Sequence, residues 1–201
     1  MCEETRIPAK TVVSIALAAE GLLAMVGLYW IWLRDLPPPV WNKGWGGGIL
    51  AALPLLVLNF MLLEAARRGK WPPLDNLLKE AIRPICCNLG PCSGGLVALA
   101  AGLGEEIFFR GALNVELSRQ LGDWAGIATA SLAFAALHFV GQIRRYYQLI
   151  ILYFGIGVYL SVLASWHESL ASAVACHAFY DYMAILYIRY GLSKCRNGRP
   201  E

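Results

Sequence analysis

A short run of residues places two glutamates and an arginine inside an otherwise apolar segment. The run is GEEIFFRG, residues 104 to 111, and the rest of the segment from Leu96 to Leu113 carries no charge. Charged side chains in apolar surroundings are costly unless they pair or serve a function. Glu106 and Arg110 are four residues apart, so on a helix they share a face and can pair. Glu105 is rotated by about 100° from Glu106 and can point elsewhere.

Two later apolar segments also carry polar side chains at helical spacing. Phe134 and His138 are four residues apart, and so are His177 and Asp181. Each of three helices therefore offers one polar face, and the three faces could converge.

This set of side chains suits the hydrolysis of a carbonyl compound by water. A carboxylate such as Glu105, placed near one imidazole, can hold and deprotonate a water molecule. A second imidazole and its neighbour can hydrogen-bond the oxyanion that forms when the water attacks a carbonyl. Adjacent glutamates in a low dielectric tend to differ in ionisation, and Arg110 would keep one of them charged. These are the parts of a hydrolase that uses no covalent nucleophile.

Other chemistries remain open for the same residues. A divalent metal such as zinc could be bound by two histidines and two carboxylates, namely Glu105, His138, His177 and Asp181. No cofactor is certain, however, and the HExxH helix of common zinc proteases is absent. A GxSxG nucleophile motif is also absent. Cys176 lies beside His177, but neighbours on a helix point about 100° apart, which argues against a cysteine–histidine pair.

Three motifs in this order resemble a known family of membrane proteases. EExxxR is present at Glu105–Arg110, FxxxH at Phe134–His138 and HxxxN/D at His177–Asp181. Together they are similar to the CAAX protease and bacteriocin-processing (CPBP, or Abi) family of glutamic-type intramembrane endopeptidases, which includes the type II CAAX prenyl endopeptidases. The resemblance covers Gly94 to Tyr190, and the first ninety residues carry none of it.

The resemblance implies a role for each catalytic residue. Glu105 would be the general base that activates water together with His138, Glu106 and Arg110 would support it, and His177 with Asp181 would form the oxyanion site. The prenyl endopeptidases have asparagine where this chain has Asp181. Because an ionised aspartate cannot donate a hydrogen bond, Asp181 would be protonated, orient His177 or bind a metal.

The resemblance also bears on the substrate. Some members of the family trim prenylated C-termini, and others are linked to bacteriocin maturation or self-immunity. Others resemble enzymes that process C-terminal sorting signals. We expect a membrane-embedded or lipid-anchored protein or peptide as substrate. Phe108, Phe109 and Phe134 are predicted to bind that substrate or to pack beside the site.

Composition indicates an integral membrane protein. Of 201 residues, 58% are hydrophobic and only 15% are charged, and the mean hydropathy is +0.52. Soluble domains are closer to half apolar and a quarter charged. The net charge of +3 is too small to indicate a nucleic-acid partner, so lipids are the expected surroundings. The predicted fold is all-α and polytopic.

Apolar runs of sufficient length predict about six transmembrane helices. The predicted spans are Thr11–Leu33, Gly44–Glu64, Gly94–Leu121, Trp124–Val140, Gln142–Ser165 and Ser169–Tyr190. The first contains an acid, Glu20, that either serves a function or faces the bundle, and cleavage near Ala18 as a signal peptide is a minor alternative. Residues 74–85 predict a short amphipathic helix on the membrane surface. We divide the chain into an N-terminal part (1–93), a catalytic core (94–192) and a basic tail (193–201).

Basic residues predict the orientation of the spans. Outside the motif, thirteen lie on the side of the termini and three on the other side. The thirteen are Arg6, Lys10, Arg67, Arg68, Lys70, Lys79, Arg83, Arg144, Arg145, Arg189, Lys194, Arg196 and Arg199, and the three are Arg34, Lys43 and Arg119. Because basic loops stay in the cytoplasm, both termini are predicted to be cytoplasmic in the inner (plasma) membrane.

Two non-proteolytic functions also fit parts of the pattern. A bacteriocin immunity or regulatory protein could bind a peptide in the same cavity without cutting it. A small transporter with a buried proton relay would use the charges but would not require the motif order. Oligomeric state does not follow from the sequence.

Overall fold

The computed structural model describes residues 7–192, and every regular element in that range is helical. The α-helices are α1 (Ala9–Leu33), α2 (Trp45–Arg67), α3 (Pro72–Leu77), α4 (Arg83–Cys86), α5 (Pro91–Glu106), α6 (Asn114–Leu121), α7 (Asp123–Leu137), α8 (Tyr147–His167) and α9 (Leu170–Leu186). Wider π-helical turns continue three of them, at Leu78–Ile82, Ile107–Leu113 and Tyr187–Gly191.

Among residues 7–192, five helices are long and apolar enough to cross a membrane, which confirms the predicted polytopic all-α class. They are α1, α2, the continuous helix Pro91–Leu121, α8 and the continuous helix Leu170–Gly191. The remaining predicted span is a shorter apolar helix, α7. The predicted tail 193–201 lies outside the described residues, as does Arg6.

Small residues allow the long helices to approach each other closely, as is common in membrane bundles. On α5, a Cβ atom added to Gly102 would lie 2.9 Å from Cβ of Ala178 on α9. On α8, a Cβ atom added to Gly157 would lie 2.9 Å from Cβ of Ser131 on α7. The backbones of α5 and α9, and of α7 and α8, are therefore nearly in contact, which holds the polar faces of these helices close together.

The predicted amphipathic segment forms a helical run from Pro72 to Cys86 in which the middle turn is π-helical. Leu74, Leu78 and Cys86 are buried in a cluster with apolar residues of the spans. Lys79 and Glu80 are exposed on the opposite side. The segment therefore packs one apolar face on the bundle, as its sequence pattern predicts.

Separate sets of polar contacts hold the two ends of the bundle. At the end that carries the amphipathic segment, the Arg145 guanidinium lies 2.6 Å from the Glu80 carboxylate. At the opposite end, Arg34 lies 2.7 Å from Glu116. These pairs fix how the loops lie against their neighbours but contribute little stability where they are exposed to solvent.

Candidate active site

The six predicted catalytic side chains come from three elements that meet in the interior. Glu105 and Glu106 are the last residues of α5, and Arg110 lies in the π-helical turn that follows. His138 comes directly after α7, and α9 carries the remaining pair, His177 and Asp181. π-Helical turns inside α-helices occur often at functional sites, because the extra residue per turn re-aims the side chains.

Glu106 links the other two charged groups at the base of the cluster. One of its oxygens, Oε1, accepts a hydrogen bond from Nη1 of Arg110 at 2.8 Å. The same oxygen lies 2.8 Å from Nδ1 of His177. Glu106 has no exposed surface, and the Arg110 side chain is 1% exposed. Glu106 and Arg110 therefore compensate each other's buried charge. The contact between Glu106 and His177 ties α9 to the helix that carries Glu105.

The Arg110 guanidinium is held on two further sides. Its Nη2 donates to the carbonyl oxygen of Gly157 at 3.1 Å. Its central carbon lies 4.4 Å from the centre of the Phe134 ring, which is cation–π geometry. Arg110 thus joins α7 and α8 to the carboxylate network.

Glu105 lies between the two imidazoles. Its Oε1 is 3.9 Å from Nε2 of His138, and its Oε2 is 3.9 Å from Nε2 of His177. These separations are too long for direct hydrogen bonds. Polar groups separated in this way are commonly bridged by a water molecule.

His138 is oriented by its own helix. Its Nδ1 lies 2.8 Å from the carbonyl oxygen of Phe134, one turn earlier. A carbonyl oxygen only accepts, so Nδ1 carries the hydrogen and, in the neutral ring, Nε2 presents a lone pair toward Glu105. The FxxxH spacing therefore sets the tautomer through the backbone as well as through the Phe134 side chain.

Asp181 contacts the imidazole that precedes it on α9. Its Oδ2 lies 3.4 Å from Nε2 of His177, while Nδ1 of the same ring faces Glu106. Both ring nitrogens of His177 thus face carboxylate oxygens. A doubly protonated ring can donate to both, and a protonated Asp181 could instead donate to Nε2.

The three predicted substrate-binding phenylalanines lie around this cluster at different depths. Phe109 and Phe134 are buried, with ring centres 5.2 Å apart. Phe108 is half-buried, and its ring lies 6.2 Å from the Trp30 ring on α1. Phe109 and Phe134 therefore contact Arg110 and its surroundings in this arrangement, and substrate binding by the three rings stays a prediction.

Cys176 points away from the cluster. Its side chain is fully buried in an apolar group that includes Ala52 and Leu55 of α2. His177, the next residue, faces the carboxylates. A cysteine–histidine pair does not form here, as the helical angle between neighbours predicts.

Three groups beside the cluster belong to no sequence motif that would have predicted them. The Tyr153 ring on α8 lies 4.6 Å from the His138 ring, and the Gly157 carbonyl oxygen accepts from Arg110. Glu20 of α1 lies against Gly104, just before Glu105. Only Glu20 carried a signal in the sequence, as an acid inside an apolar span.

The same residues do not have the arrangement that a metal ion requires. Within residues 7–192, no three His, Cys, Asp or Glu side chains have the arrangement of a metal site. His177 directs Nδ1 at Glu106 and has its other nitrogen close to Asp181. The chemistry below is therefore derived from the chain's own side chains.

Known protein families provide an independent observation. Residues 91–183 match the family model described as type II CAAX prenyl endopeptidase Rce1-like. By this similarity, residues 91–183 are called the CAAX protease domain. The domain begins at Pro91, the first residue of α5, and ends within α9, so it includes the whole cluster from Glu105 to Asp181. The family predicted from the three motifs is confirmed.

The CAAX protease domain indicates an intramembrane endopeptidase at the level of the family. No curated protein matches the chain, and no solved structure matches it.

Proposed function

We propose that the chain is an intramembrane endopeptidase that cuts a membrane-associated protein or peptide with a water molecule activated by Glu105. The observation that carries the proposal is the position of Glu105, with one oxygen 3.9 Å from each of two imidazole Nε2 atoms. A carboxylate between two imidazoles provides a base and an oxyanion donor around a single reacting carbonyl.

In the first step, a water molecule lies between Glu105 Oε1 and His138 Nε2 and directs its hydrogens at these two acceptors. Its oxygen attacks the carbonyl carbon of the substrate, and a new C–O bond forms. One water proton moves to Glu105. The π electrons of the carbonyl move onto its oxygen, which becomes an oxyanion. His177, doubly protonated, donates from Nε2 to that oxyanion.

In the second step, the oxyanion collapses and the C–N bond breaks. The proton held by Glu105 moves to the leaving nitrogen, which departs as an amine, while the other product is a carboxylic acid. Glu105 is thereby returned to its ionised form. Glu106 holds His177 through Nδ1, and Arg110 holds Glu106. Asp181, 3.4 Å from Nε2, orients the ring until the oxyanion becomes the acceptor of the Nε2 hydrogen.

The proposal extends to the parts of the chain around the site, to its orientation in the membrane and to its substrates. We propose that residues 94–192 hold the catalytic machinery, that 1–93 frame it, and that both termini lie in the cytoplasm at the inner (plasma) membrane. No cofactor is needed for the two steps above. Substrates would be membrane-embedded or lipid-anchored chains cut near a C-terminus, as in CAAX-type trimming or the maturation of sorting signals or bacteriocins.

The test compares protein termini in the native host. Wild type is compared with Glu105→Gln, and Glu64→Gln serves as the control because, among residues 7–192, Glu64 pairs with Arg67 and Arg68 of its own helix, α2. We expect one or a few membrane proteins to keep an uncut terminus in Glu105→Gln alone. If no terminus changes while Glu105→Gln accumulates normally, the protease proposal fails and peptide binding without cleavage becomes the function to test.

A further inference from the structure

An acidic side chain of the N-terminal helix reaches the site from outside the CAAX protease domain. Glu20 lies in the middle of α1, which is otherwise apolar from Thr11 to Leu33. Its Oε2 atom is buried and has no hydrogen-bond partner among the described residues. Ionisable groups inside a membrane span are costly and generally mark a functional path or a pairing partner.

Gly104 makes room for this carboxylate. A Cβ atom at position 104 would lie 2.6 Å from the backbone oxygen of Glu20 and 2.7 Å from its Oε2. Any other residue type would collide with the backbone oxygen of Glu20, which cannot move unless α1 shifts, and would displace the carboxylate. Glu20 therefore packs directly on the backbone of α5 at the residue before Glu105.

Neighbouring contacts fix the register of α1 at this level. Two turns further along α1, a Cβ atom at Gly27 would lie 2.9 Å from Cα of Phe108. Between Glu20 and Gly27 on α1, Ala24 packs in a cluster with Leu103 and Ile107. Since α1 is seated along α5 and the π-helical turn by these contacts, the Glu20 carboxylate is held opposite Gly104.

The Glu20 carboxylate interacts electrostatically with the residues of the site. It interacts electrostatically with His177 and Asp181 on α9 and with Glu105 on α5. His177 is also faced by Glu106 at Nδ1 and by Asp181 at Nε2. The fixed positive charge in this group, Arg110, is already paired with Glu106.

We propose that Glu20 is a positioning residue of the site, whose carboxylate over Gly104 stabilises the positive charge that His177 carries when it donates to the oxyanion. The inference rests on the proposed function, because it assigns a partner to the same histidine. A fixed negative charge beside an imidazolium lowers the energy of the charged transition state in a low-dielectric site. The N-terminal part of the chain would then complete the site electrostatically.

The variants separate charge from packing. Glu20→Gln keeps the shape and removes the charge, and Glu20→Asp keeps the charge on a shorter side chain. Gly104→Ala leaves the Glu20 side chain unchanged but pushes α1, and with it the Glu20 carboxylate, away from α5. Gly21→Ala is the control on α1, because a Cβ atom there meets nothing within 4 Å.

The first readout is the ¹⁵N spectrum of the histidine rings in the full chain, which needs no substrate. The sequence has three histidines, so single substitutions of His138 and His167 assign the His177 signals. We expect the two His177 ring nitrogens to shift toward the neutral-ring pattern in Glu20→Gln and Gly104→Ala. Glu20→Asp and Gly21→Ala are expected to keep the wild-type pattern.

The second readout is the rate at which the terminus identified with Glu105→Gln is cut. We expect the rate at saturating substrate to fall roughly tenfold in Glu20→Gln with an unchanged KM, and to recover largely in Glu20→Asp. Wild-type ring signals and rates in a folded Glu20→Gln would overturn the inference while leaving the protease proposal intact. If Glu20→Gln does not fold, unchanged ring signals and rate in Gly104→Ala would overturn it equally. Normal cutting by Glu105→Gln would instead overturn the proposed function.

Discussion

At the scale of single residues, the site depends on one carboxylate oxygen with two partners. Oε1 of Glu106 accepts a hydrogen bond from Nη1 of Arg110 and lies beside Nδ1 of His177, each at 2.8 Å. Removing one member of a buried ion pair leaves the other charge uncompensated, whereas replacing both members by apolar groups often restores stability. The stabilising role and the orienting role of Glu106 can therefore be separated by experiment.

Arg110→Met should destabilise the protein by about 3 kcal/mol, because it removes the fixed positive charge that compensates the buried Glu106 carboxylate. The double variant Glu106→Leu/Arg110→Met should recover most of that loss and yet show no cleavage, since His177 has lost its Nδ1 partner. Thermal unfolding in detergent measures the first effect and terminus analysis the second. A double variant less stable than Arg110→Met would contradict this account of the pair.

At the scale of helices, α9 must approach α5 closely for His177 to reach Glu106. Gly102 sets that approach, since a Cβ atom there would lie 2.9 Å from Cβ and 3.1 Å from the backbone nitrogen of Ala178. Ala178 directly follows His177. A shift of α9 at this point therefore moves the His177 imidazole.

Gly102→Ala should lower the cleavage rate by at least tenfold, although alanine favours a helix more than glycine does. Gly95→Ala is the matched control on the same helix and interface, because its Cβ atom would meet the Tyr182 ring at an ordinary 3.5 Å. Cleavage rates of the two variants are compared in the same membranes. Equal rates would show that the close approach at Gly102 is not what positions α9.

The amphipathic segment gives a second expectation at this scale. Burial raises the pKa of the Cys86 thiol to about 12. Because the thiolate is the reactive form, Cys86 should resist maleimide at pH 8 in the folded protein, react faster as the pH approaches that value, and react fully on unfolding. Cys92, which is exposed, should react throughout. Mass spectrometry of labelled peptides measures both, and rapid labelling of Cys86 at pH 8 would show that the segment does not pack as described.

Much of this arrangement could be predicted from the sequence, because lipid requires long apolar helices and side chains recur every turn. The membrane spans could be predicted in this way. So could the four-residue spacings that place Glu106 with Arg110 and His177 with Asp181 on one helix face. The π-helical turn at Ile107–Leu113 could not be predicted, since no residue pattern distinguishes it from an α-helix. The hydrogen bond of Glu106 to His177 depends on how α5 and α9 pack, which no local pattern contains.

At the scale of the whole molecule, the distribution of basic residues predicts one orientation in the membrane. Thirteen Lys and Arg residues fall on the side of the termini and three on the other. Green fluorescent protein fused after Glu201 should therefore fluoresce, because it folds only on the cytoplasmic side. Alkaline phosphatase inserted after Pro38 should be active, because it folds only on the other side. The reverse pair of results would contradict the predicted topology.

The length of α7 has a consequence for the lipid around the enzyme. Its 15 residues rise about 22 Å, whereas the hydrocarbon core of a typical bilayer is about 30 Å thick. Such hydrophobic mismatch is relieved by local thinning of the bilayer, which brings the headgroup layer and its water toward the end of the helix. His138 follows the last residue of α7 directly. Cleavage should therefore be faster in vesicles of short-chain phosphatidylcholine than in long-chain ones, and a rate indifferent to acyl-chain length would mean that the catalytic water arrives by another route.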